Sequence, residues 1–317
     1  MKMTTHTAIT LTPESNFMAE VDSIKLFGSI ASALLELDRD KFEKFYESVK
    51  KWETRISSAF PLIKDTLFFP IPPLSIKYNE DFSEKSEDIS VFMKIKNIKK
   101  ARFVSLSILE KMLDTRLEID DILEKIEDEE WELKKEYLYT KKENDIEKRD
   151  FIVKKYEIPK NVLNRYTYFS TIFYSQAYFY NCDIFFLVKT KNSILKLIET
   201  ALKLLEDRGI SQDFSIGFGK FKFKGMENIE LNESGNRAVL LSKFHPNENE
   251  TELIVSCDKS YRIKEIRGFT KNGFHIPPYE FFTEGSYFKI AKINGKIIDI
   301  PDTKTSLNGI AYYVKSR

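Results

Sequence analysis

The sequence predicts an α+β protein of two domains, and three observations predict it. A chain of 317 residues is long for one hydrophobic core and comfortable for two. A strand-like run followed by an amphipathic helix opens both halves, at Lys2 to Leu11 and again from Asp183 onward. The last third is a series of short strand-like runs separated by glycine turns. Apolar residues make up 42% of the chain and include 26 Phe, enough for a substantial core. The expected division is 1–181 and 182–317.

Taken in order, Lys2 to Leu11 is rich in Thr and Ile and reads as a strand that Thr12-Pro13 breaks. A polar loop follows to Glu20. Asp22 or Ser23 then caps a helix with Leu26, Phe27, Ile30, Ala31 and Leu34 on one face. A second helix from Asp40 to about Thr54 places Phe42, Phe45, Tyr46, Val49 and Trp52 together. Ser57 to Pro73 reads as short strands punctuated by proline, and Asn79 to Glu87 as a polar loop. Lys94, Lys96, Lys99, Lys100 and Arg102 form a basic strip, either a phosphate contact or a solvated face. Ser105 to Leu113 reads as a short helix. Pro159 to Tyr180 mixes Arg165 with many aromatics. Asp183 to Val188 reads as a buried strand. The helix after it carries Ile194, Leu197, Ile198, Ala201 and Leu205, with Asn192 or Ser193 as cap and Gly209 as its stop. Later strands are expected at Val239 to Lys243, Glu252 to Val255, Tyr261 to Arg267, Ser286 to Ile290 and Lys296 to Ile300.

The net charge of +1 hides an asymmetry. From Glu118 to Asp150, 21 of 33 residues are charged with a net of −7, so the remainder carries +8. This is a basic body with an acidic insert, and a basic body can meet phosphate. Ile119, Ile122, Leu123, Ile126 and Trp131 give the insert one weak amphipathic helix, and it reads as a protruding arm. No uninterrupted apolar run is long enough to span a membrane, and the start lacks the apolar stretch of a signal peptide. Cys182 and Cys257 are too far apart for a metal motif and fit a reducing, cytoplasmic interior. His6, His245 and His275 are scattered. No cofactor and no metal are expected.

The stretch with most chemical content is Arg208 to Lys224, RGISQDFSIGFGKFKFK. Glycines at 209, 217 and 219 let the backbone come close to a ligand, and Lys220, Lys222 and Lys224 supply charge. A dinucleotide fingerprint needs a strand before the glycines and a helix after, and the order here is reversed. A P-loop needs Gly five residues before Gly219 and Ser or Thr after Lys220, where Phe214 and Phe221 stand. Two readings stay open: an anion-binding loop, or a bulged strand without a ligand. Phe214, Ile216 and Phe218 share one parity and Phe221 and Phe223 the other, so a bulge or tight turn is expected at Gly219-Lys220. Phe221 and Phe223 read as core.

Several phrases resemble the RAMP superfamily: VDSIKLFGSI, SSAFPLIKDTLFFPIPP, KNVLNRYTYFSTIFYSQAYF, GISQDFSIGFGKFKF, EGSYFKI and NGIAYYV. They run in family order from residue 21 to residue 314, and the set is similar to the fourth subunit of the Csm complex, the Cas5-like subunit of type III-A CRISPR effectors. The resemblance departs at Ser211-Gln212-Asp213, which replace a loop glycine, at Lys25 and at Asn164. It implies two ferredoxin-like (RRM-like) domains with antiparallel sheets and a thumb-like insertion at about 91–158. It implies a subunit, generally not a nuclease, that holds the 5′ repeat-derived handle of crRNA beside the large polymerase-nuclease subunit and a backbone RAMP subunit.

Holding a handle takes backbone N–H groups and lysines for phosphate and aromatic faces for splayed bases. Gly209, Ser211, Gln212, Gly217, Phe218, Gly219, Lys220 and Lys222 are the candidates in the glycine loop. Lys25, near the start of the first helix, meets a phosphate or is a solvated lysine. Arg165 meets RNA or pairs with an acid. Two further readings stay open. A metal-independent ribonuclease that processes guide RNA needs a general base, for which His6 is the early candidate, with a structural role as its alternative. A protein-only scaffold would use Tyr166, Tyr168 and Phe169.

Overall fold

The computed structural model describes residues 3–72, 89–115, 117–146, 152–210, 214–232, 235–269, 274–301, 303 and 305–316. Among them the centre is a nine-stranded sheet. Its order runs Phe221–Asn232, Met3–Pro13, Asp183–Lys189, Phe60–Ile63, Thr66–Pro70, Phe103–Ser105, Tyr137–Thr140, Trp131–Lys134, with Arg55–Ile56 also paired to Asp183–Lys189. Neighbours are antiparallel except Phe103–Ser105 and Tyr137–Thr140, which run parallel.

Four of these strands and two helices make a ferredoxin-like unit. In chain order it is strand Met3–Pro13, helix Ser23–Leu37, strands at 55–63, strand Asp183–Lys189, helix Asn192–Arg208 and strand Phe221–Asn232. In space the strands lie fourth, first, third, second, the βαββαβ arrangement. Everything from 66 to 182 is inserted between its second and third strands. A second unit repeats the plan. Arg237–Leu240, helix Glu248–Ser256, Lys259–Ser260, Tyr287–Phe288 and Tyr313–Ser316 lie in the same fourth-first-third-second order. Where the first unit has its second helix, this one has the small hairpin of Ile297–Asp299 and Ser306–Asn308.

The division expected after residue 181 is therefore misplaced. Asp183–Lys189 followed by a helix looks like the opening of a domain, but this strand is the third of the first unit, paired to Met3–Pro13 on one side and Phe60–Ile63 on the other. The topology moves the junction to 233–236. Glu252 to Val255, expected as a strand, is helical. The Asn247 side chain accepts from the Glu250 N–H at 3.1 Å and Glu250 Oε2 accepts from the Asn247 N–H at 3.2 Å, a reciprocal cap that starts a helix.

Both faces of the first sheet are covered, which is why IFFLV at 184–188 is apolar without alternation. Ile9, Leu11, Ile184, Phe186 and Val188 pack under the two helices, against Leu26, Phe27, Ile30 and Leu202. Ala8, Phe185 and Leu187 pack on the other face against Val239, Leu241, Tyr312 and Val314 of the second unit. The Asp22 carboxylate caps the first helix as expected, accepting from the Lys25 N–H at 3.0 Å. Asp38 caps Arg39–Lys50 the same way through the Asp40 N–H at 2.8 Å.

The acidic insert is not the protruding arm that the sequence suggests. Ile119, Ile122, Leu123, Trp131 and Leu138 join the main core, and the strands at 131–140 lengthen the sheet. What projects is the stretch after it. Val153–Leu163 and Ser170–Tyr180 form an eleven-pair antiparallel hairpin, on the order of 35 Å long at ~3.3 Å per residue. The second unit carries a hairpin of its own, Ile263–Phe269 with His275–Phe282, inserted at the equivalent place between second and third strands.

Candidate nucleic-acid interface

The loop between the first strand and the first helix, residues 14–22, ties the candidate elements together. At its start the Asn16 carbonyl accepts from the Gly219 N–H at 2.7 Å, and Ser15 Oγ accepts from the Lys220 N–H at 2.8 Å. The Lys222 ammonium sits 3.4 Å from Glu14. In its middle Phe17 forms a bridge with Tyr178 at the root of the first hairpin, with bonds of 2.9 and 2.7 Å. At its end Glu20 and Asp22 face a cleft between the roots of the two hairpins. Glycine loop, hairpin and cleft thus share one edge of the molecule.

Of the bulge or tight turn expected at Gly219-Lys220, the chain has a turn, at 217–219. Phe214–Ile216 is a short 3-10 turn, closed by the Gly217 N–H to the Phe214 carbonyl at 3.0 Å, and the strand begins only at Phe221. The bulge lies further on. Thr10 and Leu11 face Gly225 and Phe223, so Lys224 is the extra residue. Gly209, Gly217 and Gly219 all have positive φ, of 91°, 96° and 75°. The Ile210 N–H donates to the Gly219 carbonyl at 2.8 Å, clamping the loop's ends together. The N–H groups of Gly217, Gly219 and Lys220 are thus satisfied within the chain. Lys220 and Lys222 are exposed, and Phe218 is half-buried. Lys224 is exposed but pairs with Asp183 at 2.8 Å. Phe221 is buried and Phe223 packs beside it, as expected for core. Ser211 and Gln212, like the loop expected at 79–87, lie outside the described residues.

Lys25 stands at the start of the first helix, with its ammonium 3.1 Å from Asp22. Burial alone would push the Asp22 carboxyl up, but Lys25 and Lys243 more than offset this and hold it below its ordinary value. Arg165 is exposed in the turn of the first hairpin. At about 3.3 Å per residue it stands on the order of 25 Å from Tyr178, so the fold does not gather it with the glycine loop. Its turn is set by Asn164, whose side chain accepts from the N–H groups of Tyr166 and Thr167. Tyr166, Tyr168 and Phe169 are 95%, 81% and 77% exposed there, an uncovered aromatic tip. In the basic strip, Lys94 pairs with Glu127 at 2.9 Å and Arg102 with Glu20 at 3.0 Å.

The cleft was not legible in the sequence. It has a volume of about 230 Å³. Lys243, almost fully buried, donates to Glu284 at 2.6 Å, and Ser58 donates to the same carboxylate. Burial would raise the Glu20 carboxyl, but Arg102, then Lys264 and Lys243, hold it below the usual range. His6, the candidate base for cleavage, is 1% exposed and lies 2.5 Å from the Tyr312 hydroxyl between the two units. Among the described residues no group of three His, Cys, Asp or Glu is arranged to hold a metal, and no helix is long and apolar enough to cross a membrane.

No protein-family model matches the chain. The CRISPR system Cms protein Csm4 of Methanocaldococcus jannaschii is 25% identical over 305 residues, covering 87% of this chain and 78% of that protein. Among solved structures, Csm4 in a Csm3-Csm4 subcomplex of the type III-A CRISPR-Cas interference complex superposes with a TM-score of 0.68 at 20% identity, covering 98% of this chain and 99% of that one. A Csm1-Csm4 cassette in complex with AMPPNP matches with a TM-score of 0.64 at 17% identity, over 99% and 98% of the two chains. In fold and in sequence, this chain is similar to Csm4.

Proposed function

We propose that this protein is a non-catalytic, RNA-binding subunit of a type III-A CRISPR effector. It holds the 5′ repeat-derived handle of crRNA and docks a large polymerase-nuclease subunit and a backbone RAMP subunit. The observation that carries the reading is the 14–22 loop, which fixes the lysine-bearing glycine loop, the aromatic hairpin and the cleft along one edge. The likeness to Csm4 chains seen with Csm1 and with Csm3 supports the two docking partners. With the first sheet's faces both covered, RNA cannot lie across it as on an open RRM sheet, so loops and hairpins carry the contact. Lys25, Gly209, Gly217, Phe218, Gly219, Lys220 and Lys222 serve at the root of this surface, with Ser211 and Gln212 in the same loop, and Arg165 at its far end. The processing-ribonuclease reading loses support from the burial of His6, because a general base must reach the 2′-OH.

The test is assembly and handle-RNA binding by the reconstituted effector. Lys220→Glu with Lys222→Glu should weaken binding at least tenfold at moderate salt, and the difference should shrink as salt rises. Unchanged binding across the titration would refute the handle reading.

A further inference from the structure

Two insertions occupy equivalent positions in the two units, and the cleft lies where their roots meet. Val153 and Tyr180 come from the first hairpin, Arg262 and Lys264 from the second. The cleft is lined by four cations, Arg102, Lys243, Arg262 and Lys264, and three carboxylates, Glu20, Asp22 and Glu284. The carboxylates are all engaged: Glu284 with Lys243, Asp22 with Lys25, and Glu20 with Arg102 and, at 4.0 Å, Lys264. Arg262 fixes its backbone, donating its N–H to Ser286 Oγ at 3.1 Å, while its guanidinium has no ion-pair partner among the described residues. Arg262 is thus the positive charge left over in the lining. The lining also includes the apolar side chains of Pro61, Pro70, Phe103 and Tyr180. The volume of about 230 Å³ is below the roughly 300–1,000 Å³ of sites for drug-sized ligands.

One surplus positive charge beside a small, partly aromatic cavity suits one anionic group carrying one flat apolar body. We propose that the cleft seats a single splayed nucleotide of the guide RNA, its base against these apolar side chains and its phosphate on Arg262 and Lys264. This rests on the handle reading above and deepens it, because the glycine loop lies on the same edge. The ionised Glu20 carboxylate gives the cleft an acceptor that favours a base with an exocyclic amino group over uracil.

The test uses the reconstituted effector and guide RNAs that each lack one handle base. With the wild-type chain, one abasic position should cost about tenfold in affinity. In the Arg262→Ala, Lys264→Ala variant that position should cost nothing further, and Arg262→Lys should restore most of the effect. Both residues are exposed, so a matched melting temperature will separate contact from folding. An abasic profile that is the same in variant and wild type, with Lys220→Glu, Lys222→Glu still weakening binding, would overturn the cleft and leave the handle reading standing. If the loop variant also binds normally, both fall. If millimolar AMP raises the melting temperature of the RNA-free chain through Arg262, the site belongs to a free nucleotide and the RNA assignment is overturned.

Discussion

Gly209→Ala is the sharpest probe of the clamped loop. A Cβ at 209 would lie 2.8 Å from both the Phe218 and Gly219 carbonyl oxygens, at a φ of +91° that side chains rarely adopt. The backbone strain alone costs about 1–3 kcal/mol. The contact also forces the two ends of the loop apart, breaking the Ile210 to Gly219 bond, which adds about 1 kcal/mol. Displacing Gly219 pulls on its bond to Asn16 as well, for about 1 kcal/mol more. The internal control is Gly217→Ala. Its φ is +96°, yet nothing lies within 4 Å of the added Cβ, so only the strain applies. The expected costs are therefore about 3–5 kcal/mol at 209 and about 1–3 kcal/mol at 217. At roughly 1.5 °C per kcal/mol for a chain of this length, scanning calorimetry should show falls of about 4–8 °C and about 2–4 °C. Handle binding by the effector should follow the same order, because Lys220 is positioned through Ser15 by the closed loop. Equal shifts for the two alanines would refute the clamp.

Other consequences follow from the same geometry. Asp22→Asn keeps a capping side chain but removes the charge facing Lys25 and Lys243. Because the folded carboxyl is held below its ordinary value of 3.8, its stabilisation is full above that value and is lost as the pH falls through the folded pKa. Melting curves should separate the variant from wild type at neutral pH and converge only as the pH falls below the ordinary carboxylate value. Lys243→Met strands the Glu284 carboxylate in a buried site and should cost about 3–5 kcal/mol in urea unfolding, whereas adding Glu284→Gln should recover a large part. Replacing residues 156–177 by a tight turn should leave the melting temperature nearly unchanged, since most of those side chains are exposed and only the hairpin's root is built into the core. The same deletion should impair incorporation into the effector, read by co-purification with its partners.

The local elements were legible wherever one physical signal dominated. The stripes Leu26-Phe27-Ile30-Leu34 and Ile194-Ile198-Ala201-Leu205 gave their helices by spacing, and the apolar 184–188 run gave a strand buried on both sides. Glu252 to Val255 failed because alternation over four residues says less than a reciprocal cap between Asn247 and Glu250. The acidic insert misled because its charge count hid five apolar residues that reach the core. Of the candidate site, Lys220, Lys222 and the three glycines were legible from residue type. That the amides of Gly219 and Lys220 are spent on Asn16 and Ser15 was not, since those partners lie about two hundred positions away in the chain.

Domain order was the least legible feature, and the reason bears on function. A strand followed by a helix at 183 is the same local pattern whether it begins a domain or completes one begun at residue 3. Only the pairing of Asp183–Lys189 with both Met3–Pro13 and Phe60–Ile63 decides between them. Once it is decided, the two units match strand for strand, and their hairpins grow from equivalent corners. Packing one unit on the other then removes the first sheet's open face, the surface an isolated RRM would offer to RNA. The same packing brings the two corners together around a cleft that neither unit could form alone. A duplicated fold that covers one sheet face has thus formed a cleft from the roots of its insertions, and Arg262 is the cation that this cleft leaves without an ion-pair partner among the described residues.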